Sequence, residues 1–291
     1  MNILILGGTR FFGLNTVREL LSRGHSVTIA TRGLTPDPFG ESVKRLICNR
    51  RESESVKRVL RERYYDVIID KTAYSSNGAK RVLDYARCGR YIMMSSAAVY
   101  KDFHDDMTEE EFDPLSYPLI AGEREDFDYA EGKRQAESAA SQCYDSFNTL
   151  FVRYPVVIGK NDYTKRLDFY VEHILDGKPM YVDDQDAQQS FITGDDAGIF
   201  MARLAETDIC GAINGCGRGT VSMGDIFRYI EKKYKKRAFL TADGDPAPYN
   251  GMSSYTLNVQ KATMLGYTFS DINDTIYELI DRCAEKHLRL R

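Results

Sequence analysis

The stretch Ile3-Leu4-Ile5-Leu6-Gly7-Gly8-Thr9-Arg10-Phe11-Phe12-Gly13 decides the fold. Four consecutive apolar residues read as a strand, the glycines behind them as a tight turn, and the apolar period from Leu14 to Ser22 as a helix that opens directly afterwards. Strand, glycine turn and helix in that order form the context of the dinucleotide fingerprint. Residues without side chains let backbone amides approach a pyrophosphate, and the partial positive charge of the helix N-terminus favours the anion. Gly7 or Gly8 can make the turn, and Gly13 permits close packing of helix on strand. Arg10 stands where the usual pattern has its middle glycine.

The same rhythm continues outward. Ser26–Ala30, Arg45–Cys48, Asp66–Asp70, Tyr91–Met94 and Thr149–Arg153 join Ile3–Leu6 as strands, with helices at Leu14–Ser22, Ser53–Arg63, Asn77–Ala86 and Tyr129–Cys143. This alternation predicts an α/β fold: a Rossmann-type, doubly wound parallel sheet with helices on both faces. From about Gly159 the pattern becomes mixed, with helices expected at Leu167–Leu175, Asp195–Ala205, Met223–Lys232 and Ile272–Cys283. The expected division is a nucleotide-binding domain over 1–158 and a smaller mixed α/β substrate lobe over 159–291, with some exchange of segments between them. The Asp- and Glu-rich residues between Lys101 and Asp128 read as a solvated excursion, a loop that also touches substrate being the alternative.

Composition bounds the function. The chain has 291 residues, 43% hydrophobic and 28% charged, values ordinary for a globular protein. A net charge of -4 and no long Lys/Arg run argue against a general nucleic-acid binder. The six cysteines include no CxxC pair and the four histidines lack metal-ligand spacing, so no metal site is expected. No apolar run reaches the eighteen or so residues of a membrane span, which places the expected chain in the cytoplasm with reduced thiols. Ser96 lacks a nucleophile-elbow pattern, which speaks against acyl transfer.

Two further places carry chemistry. The second strand ends Ala30-Thr31-Arg32-Gly33, where NAD-preferring sites place an acid against the ribose 2′-hydroxyl; a guanidinium suits a phosphate instead, so Arg32, helped by Arg10, favours NADP over NAD. The fifth strand runs out into Ser95-Ser96-Ala97, at the carboxyl end where ligands of parallel sheets bind. Farther on, Tyr129 and Lys133 are four apart and share one helix face. A phenol with an ordinary pKa of about 10 is a poor base at neutral pH. One positive charge about 4 Å away, at an effective dielectric of about 20, would supply on the order of 4 kcal/mol, or roughly three pKa units. Lys133 is expected to give that charge.

With these motifs in order, the sequence resembles the extended or atypical short-chain dehydrogenase/reductases, the NAD-dependent epimerase/dehydratases. The likeness runs through Gly7 to Gly13, Ser95-Ser96-Ala97-Ala98-Val99-Tyr100, Tyr129-Ala130-Glu131-Gly132-Lys133, Arg153-Tyr154-Pro155-Val156-Val157-Ile158-Gly159 and Ser190-Phe191-Ile192-Thr193-Gly194-Asp195-Asp196-Ala197. It implies that Ser96 hydrogen-bonds the substrate oxygen, Tyr129 exchanges its proton, and Lys133 binds the nicotinamide ribose while acidifying the phenol.

The resemblance also assigns neighbours. At the cofactor it places Gly7, Thr9, Arg10, Phe11, Phe12 and Gly13 of the turn, Arg32, then Asn49 and Arg50 beside adenine. Lys71, Thr72 and Ala73 follow at the end of the fourth strand, with Tyr154, Pro155 and Val156 after the sixth. Substrate would meet Ser96, Ala97 and Tyr129, with Arg153, Lys165 and Arg166 as candidates for a substrate phosphate. Tyr163, Tyr170 and Tyr181 read as packing residues. Val156 stands where sugar-nucleotide enzymes commonly use Asn, which speaks against a UDP-sugar and leaves another activated sugar or a small carbonyl compound. The final helices could form a homodimer interface, as in relatives. The Gly-Gly-Thr-Arg-Phe-Phe-Gly form also looks like the branch that includes chloroplast stem-loop-binding proteins, so the alternative is a dinucleotide-sensing or RNA-associated Rossmann protein without redox chemistry.

Overall fold

A computed structural model describes residues 1–290. Its centre is a seven-stranded, wholly parallel sheet. The strands are β1 (Asn2–Leu6), β2 (Ser26–Thr31), β3 (Val43–Ile47), β4 (Tyr65–Asp70), β5 (Cys88–Ser96), β6 (Thr149–Tyr154) and, much later in the chain, β10 (Gly211–Asn214), in the spatial order β3-β2-β1-β4-β5-β6-β10. Helices α1 (Phe12–Ser22), α2 (Ser53–Leu60), α3 (Ser76–Leu83) and α4 (Tyr129–Cys143) connect the first six strands.

The apolar run of β1 explains the double winding. Ile3 and Ile5 belong to the core that holds Val17 and Leu20 of α1, whereas Leu4 and Leu6 belong to the opposite core with Val56 of α2, Val82 of α3 and Ala136 of α4. Successive side chains of a strand point to opposite faces, so a strand covered on both must be apolar throughout. The strand order reverses between β1 and β4. Leu6 pairs with Ala30 on one side and Asp70 on the other, so the turns after β1, β2 and β4 open along one edge. Ligands of such sheets bind there.

The remaining elements build the lobe. They are β7 (Val156–Ile158), α5 (Arg166–Asp176), β8 (Pro179–Tyr181), β9 (Phe191–Thr193), α6 (Gly194–Leu204), α7 (Met223–Tyr234), β11 (Phe239–Leu240), β12 (Asp245–Pro246), α8 (Gln260–Met264) and α9 (Ile272–Arg289). β7 pairs with β9, and β8 lies between β11 and β12. A separate core of Tyr170, Ile174, Phe191, Ile226, Ile276 and Ile280 joins α5, α7 and α9. Three lobe-side segments return to the sheet: β10 pairs with β6, α8 brings Ala262 into the core of β1 and α1, and α6 packs on α1, where Asn15 Nδ2 donates to Gly194 O at 2.9 Å and Asp195 Oδ1 at 2.8 Å.

Two expectations are refined. α9 runs to Arg289 rather than stopping at Cys283, because no helix breaker follows and His287 docks on Asp176 at 2.7 Å. The acidic segment after Tyr100 is solvated at Asp105, Asp106, Glu110, Glu111 and Asp113, as expected, but it is pinned to the body at a few buried residues. Tyr100, Met107 and Phe112 form an apolar cluster with Cys216, Tyr255 and Leu257, and buried Glu109 accepts the Asn214 N–H at 2.8 Å.

Candidate functional site

The glycine turn is shaped for close approach. Gly7 and Gly8 take φ of 109° and 96°, and a Cβ on Gly13 would lie 2.9 Å from Gly8 Cα and 2.8 Å from Lys71 Nζ. Phe11, just before α1, has φ 50° and ψ -135°, an uncommon conformation for a residue with a side chain. No side chain caps α1 and its first turn holds no acid; of its leading amides, those of Gly13 and Leu14 donate to Arg10 O and Phe11 O at 3.0 Å, and none donates to a side chain. These features fit a dinucleotide diphosphate. Gly13→Ala is therefore expected to lower dinucleotide affinity by at least about tenfold and to destabilise the fold by about 1–3 kcal/mol through overpacking; titration with dinucleotide and denaturant unfolding check both.

At the end of β2, Arg32 is exposed and has neither a hydrogen-bond nor an ion-pair partner among the described residues. A cavity of about 430 Å³ opens beside it, lined by Thr9, Thr31, Gly33, Thr35 and the Asp37–Arg45 ion pair. Arg10 is bonded to one of these lining residues, its Nε donating to Thr35 Oγ1 at 3.0 Å, with the guanidinium 5.6 Å above the Tyr163 ring.

Other expected cofactor neighbours are committed to the protein. Arg50 is bidentate to Asp70 at 2.7 and 2.9 Å, and also donates to Thr72 Oγ1 and Gly78 O. Thr72 returns its amide to Asp70 at 2.9 Å, and Tyr91 adds its hydroxyl at the same distance. Asn49 bonds Glu52 at 2.7 Å and shapes the entry to α2. Tyr154 is buried with its hydroxyl on Ala197 O at 2.8 Å, Pro155 is buried, and Val156 packs on the lobe core.

Tyr129 opens α4, whose N-cap Asp128 accepts the Glu131 N–H at 2.7 Å. Its ring is 45% exposed and faces the cleft. The surrounding protein raises its phenol above the ordinary value; the nearby Ser96 hydroxyl, then the Arg166 and Arg124 guanidinium groups, pull it down. Ser96 ends β5 and accepts the Ala98 N–H at 3.2 Å, which leaves its own hydrogen to donate. Ala97, next to it, is buried.

Lys133 differs from its expected part. It is wholly buried, donating to Ala73 O at 2.9 Å and Met94 O at 2.8 Å, with its ammonium 4.2 Å above the Tyr74 ring. It therefore ties the ends of β4 and β5 together, and the strongest cations on Tyr129 are the two arginines instead. Burial lowers Lys133 to about 7, with Asp70 opposing and Arg50 assisting that shift. The Tyr74 ring stands 6.1 Å from the Tyr129 ring, and its place against α4 depends on Gly132, whose Cβ would meet Tyr74 O at 2.4 Å.

Arg153 is not at the cleft. It is fully buried, and its five N–H donors are used by Glu137 (3.1 and 2.7 Å), Tyr100, Glu109 O and Phe112 O. Arg166 is half-buried near Tyr129, bonded to Thr164 and 5.7 Å over the Tyr249 ring, while Lys165 is exposed in a left-handed turn. Tyr170 is core, as expected of a packing residue, and Tyr181 is 40% exposed on β8; Tyr163 is 62% exposed and acts electrostatically on Tyr129. Sequence reasoning did not find Tyr74 or Arg124. Tyr74 directly follows Ala73 and was within reach of the same argument; Arg124 lies in a turn with no pattern to mark it. A local basic run, Lys232-Lys233-Tyr234-Lys235-Lys236-Arg237, also went unmarked, hidden by the acidic total.

Among curated proteins the chain is similar to the chloroplast stem-loop binding protein of 41 kDa b from Arabidopsis thaliana, 27% identical over 204 residues that cover 65% of this chain and 50% of that protein. It is also similar to the 2′-dehydrokanamycin reductase of Streptomyces kanamyceticus, 28% identical over 97 residues, 33% of this chain and 28% of the reductase. The match thus spans half or less of these curated relatives. In fold it is similar to UDP-glucuronic acid 4-epimerase from Bacillus cereus, solved with UDP-glucuronic acid and NAD, at a TM-score of 0.76, 17% identity and 100% coverage of both chains. The description of the NAD dependent epimerase/dehydratase family matches residues 3–214, well over half of the 291 residues and with the glycine turn, Ser96 and α4 inside it, and the chain belongs to that family.

Proposed function

We propose that this chain is an NADP(H)-linked epimerase, dehydratase or reductase acting on a hydroxyl or carbonyl carbon of a nucleotide sugar or a related alcohol or ketone. The observation that carries the reading is the nearness of the Ser96 hydroxyl to the Tyr129 phenol at the carboxyl edge of β5, beside the turn that suits a dinucleotide. A bound nicotinamide supplies the hydride exchange. Tyr129 holds the proton at its hydroxyl oxygen and passes it to, or takes it from, the substrate oxygen. Ser96 offers its free hydrogen to the same oxygen. Arg166 and Arg124 favour the ionised phenol, and Lys133 fixes the two strand ends that orient the pair.

The unpartnered Arg32 and the Arg10 side chain bonded to the cavity-lining Thr35 support the 2′-phosphate of NADP. Denaturing the purified protein and weighing the dinucleotide released is expected to yield NADP, and Arg32→Glu to shift the NADP:NAD affinity ratio by roughly ten- to a hundredfold toward NAD. Release of NAD would reverse the cofactor preference; failure to bind either dinucleotide would overturn the enzymatic reading.

One observation supports the second reading, an RNA-associated role. A shallow groove of about 490 Å³ at the end of α7 is lined by Arg228, Glu231, Lys232, Lys235, Lys236 and Arg237. Arg228 and Lys233 pair with Asp225 and Asp281, whereas the other four cations have no anion among the described residues. A preparation free of dinucleotide that shifted a structured RNA in a salt-dependent way would favour this reading.

A further inference from the structure

Lys71 lies beyond the last residue of β4, and its backbone N–H bonds Leu6 O at 3.2 Å, so its side chain starts beside the glycine turn. It is 7% exposed. The Lys71 Cβ is 3.5 Å from where Gly7 would carry a Cβ, and its ammonium is 2.8 Å from the same position on Gly13, in the first turn of α1. Its one partner among the described residues is the face of Phe12, 3.6 Å away. A buried ammonium normally has an anion or several hydrogen-bond acceptors, and one held against a helix N-terminus meets a like-signed partial charge. An uncapped helix start and an unpartnered buried cation aimed at it together describe a place built for an anion.

We propose that Lys71 is the anion-binding side chain of the dinucleotide groove, pairing with a phosphate of the cofactor's diphosphate at the N-terminus of α1. This rests on the dinucleotide reading above and adds a charged ligand to backbone amides that alone would suffice in a glycine-only turn. The substitution of Arg10 for glycine gives the assignment a reason, since Arg10 turns outward to Thr35 and leaves the inner face of the turn to Lys71.

The surroundings set how the site responds to pH. Burial, and then the charge of Lys133 on α4, lower Lys71 to about 7. No acid faces it from α1, whose first turn has none; Asp70 of β4 is engaged by Arg50, Thr72 and Tyr91. In α6, Asp195 accepts from Asn15 and Asp196 from Ser270. An arriving phosphate therefore draws a proton onto Lys71 when the solution is above pH 7. Binding then weakens as pH rises, by about tenfold per unit while the free lysine is neutral and the bound one charged, and levels off below pH 7.

Titration calorimetry with NADP+ and, in parallel, NAD+, which lacks a titrating 2′-phosphate, tests this in buffers of different ionisation heat between pH 6 and 9. At pH 8 the wild-type protein should take up close to one proton per dinucleotide and Lys71→Met close to none, with affinity at pH 6.5 reduced roughly ten- to a hundredfold in the variant. The variant should fold. Removing an unpaired buried charge raises the thermal midpoint of the ligand-free protein, most below pH 7 and progressively less toward pH 10.5, the window in which the unfolded lysine keeps a proton that the folded one has lost. Equal affinity and equal proton uptake in the two proteins would overturn the assignment while leaving the proposed function standing. Failure of the wild-type protein to bind either dinucleotide would sink both.

Discussion

Replacing Tyr129 by phenylalanine lowers kcat by roughly 10²–10⁴-fold, the share that a positioned proton donor or acceptor contributes, and leaves dinucleotide retention unchanged. The substitution removes one oxygen; the ring keeps its place beside Tyr74. Because the surrounding protein holds the phenol above its ordinary value, the neutral form dominates at pH 7, and the direction that needs the phenolate quickens with rising pH. Arg166→Ala and Arg124→Ala, each removing a cation that pulls the phenol down, should move that rise to higher pH. Steady-state rates across pH, once a turned-over substrate is in hand, decide the matter: an unchanged kcat for the phenylalanine variant would exclude Tyr129 as the proton carrier.

Arg153→Met should cost about 3–5 kcal/mol of stability, an effect of the order found when one member of a buried ion pair is removed. Glu137 would be left as an uncompensated carboxylate at 0% exposure, and the carbonyls of Glu109 and Phe112 would lose their donor. The same network pushes the Arg153 guanidinium up, mainly through Glu137 against the penalty of burial, and burial raises Tyr100 to about 12, so the guanidinium stays charged and the phenol neutral across the neutral range. Pairing the change with Glu137→Gln should restore part of the loss, because no lone charge then remains. Urea midpoints of the two single variants and the double variant measure the coupling. A loss below about 1 kcal/mol for Arg153→Met would mean that the residue is no structural hub.

The sheet could be read from the sequence because its signals are local. A run such as Ile3–Leu6, apolar at every position, has no other economical home than a strand covered on both faces, and the glycines behind it force the chain to turn directly into α1. The pairing of Ser96 with the Tyr129 helix was legible in part: spacing places Tyr129 and Lys133 on one face of α4 but does not say what either touches. Lys133 found the ring of Tyr74 and two carbonyls, one from the loop after β4 and one from β5, 60 and 39 residues away in the chain. Arg153 looked like a substrate ligand because it ends a strand near the site; its true partner, Glu137, is 16 residues earlier and nothing local links them. The anchoring of the acidic excursion was hidden for a similar reason, since its partners Asn214 and Leu257 lie more than a hundred residues downstream.

The course of the chain between β6 and β10 has a consequence for how the molecule holds together. After β6 the backbone leaves to begin the lobe, comes back as α6 and β10, departs for α7, returns to the sheet core at α8 with Ala262, Tyr267 and Phe269, and leaves again for α9. The halves are stitched more than once, so no single scission yields two self-sufficient pieces. A fragment ending at Ile158 would lack the helix that shields α1 and the strand that finishes the sheet beside β6, leaving an apolar flank and a raw edge open to self-association. Sheet and lobe should melt as one body, and these repeated crossings brace the groove between them against any wide hinge opening.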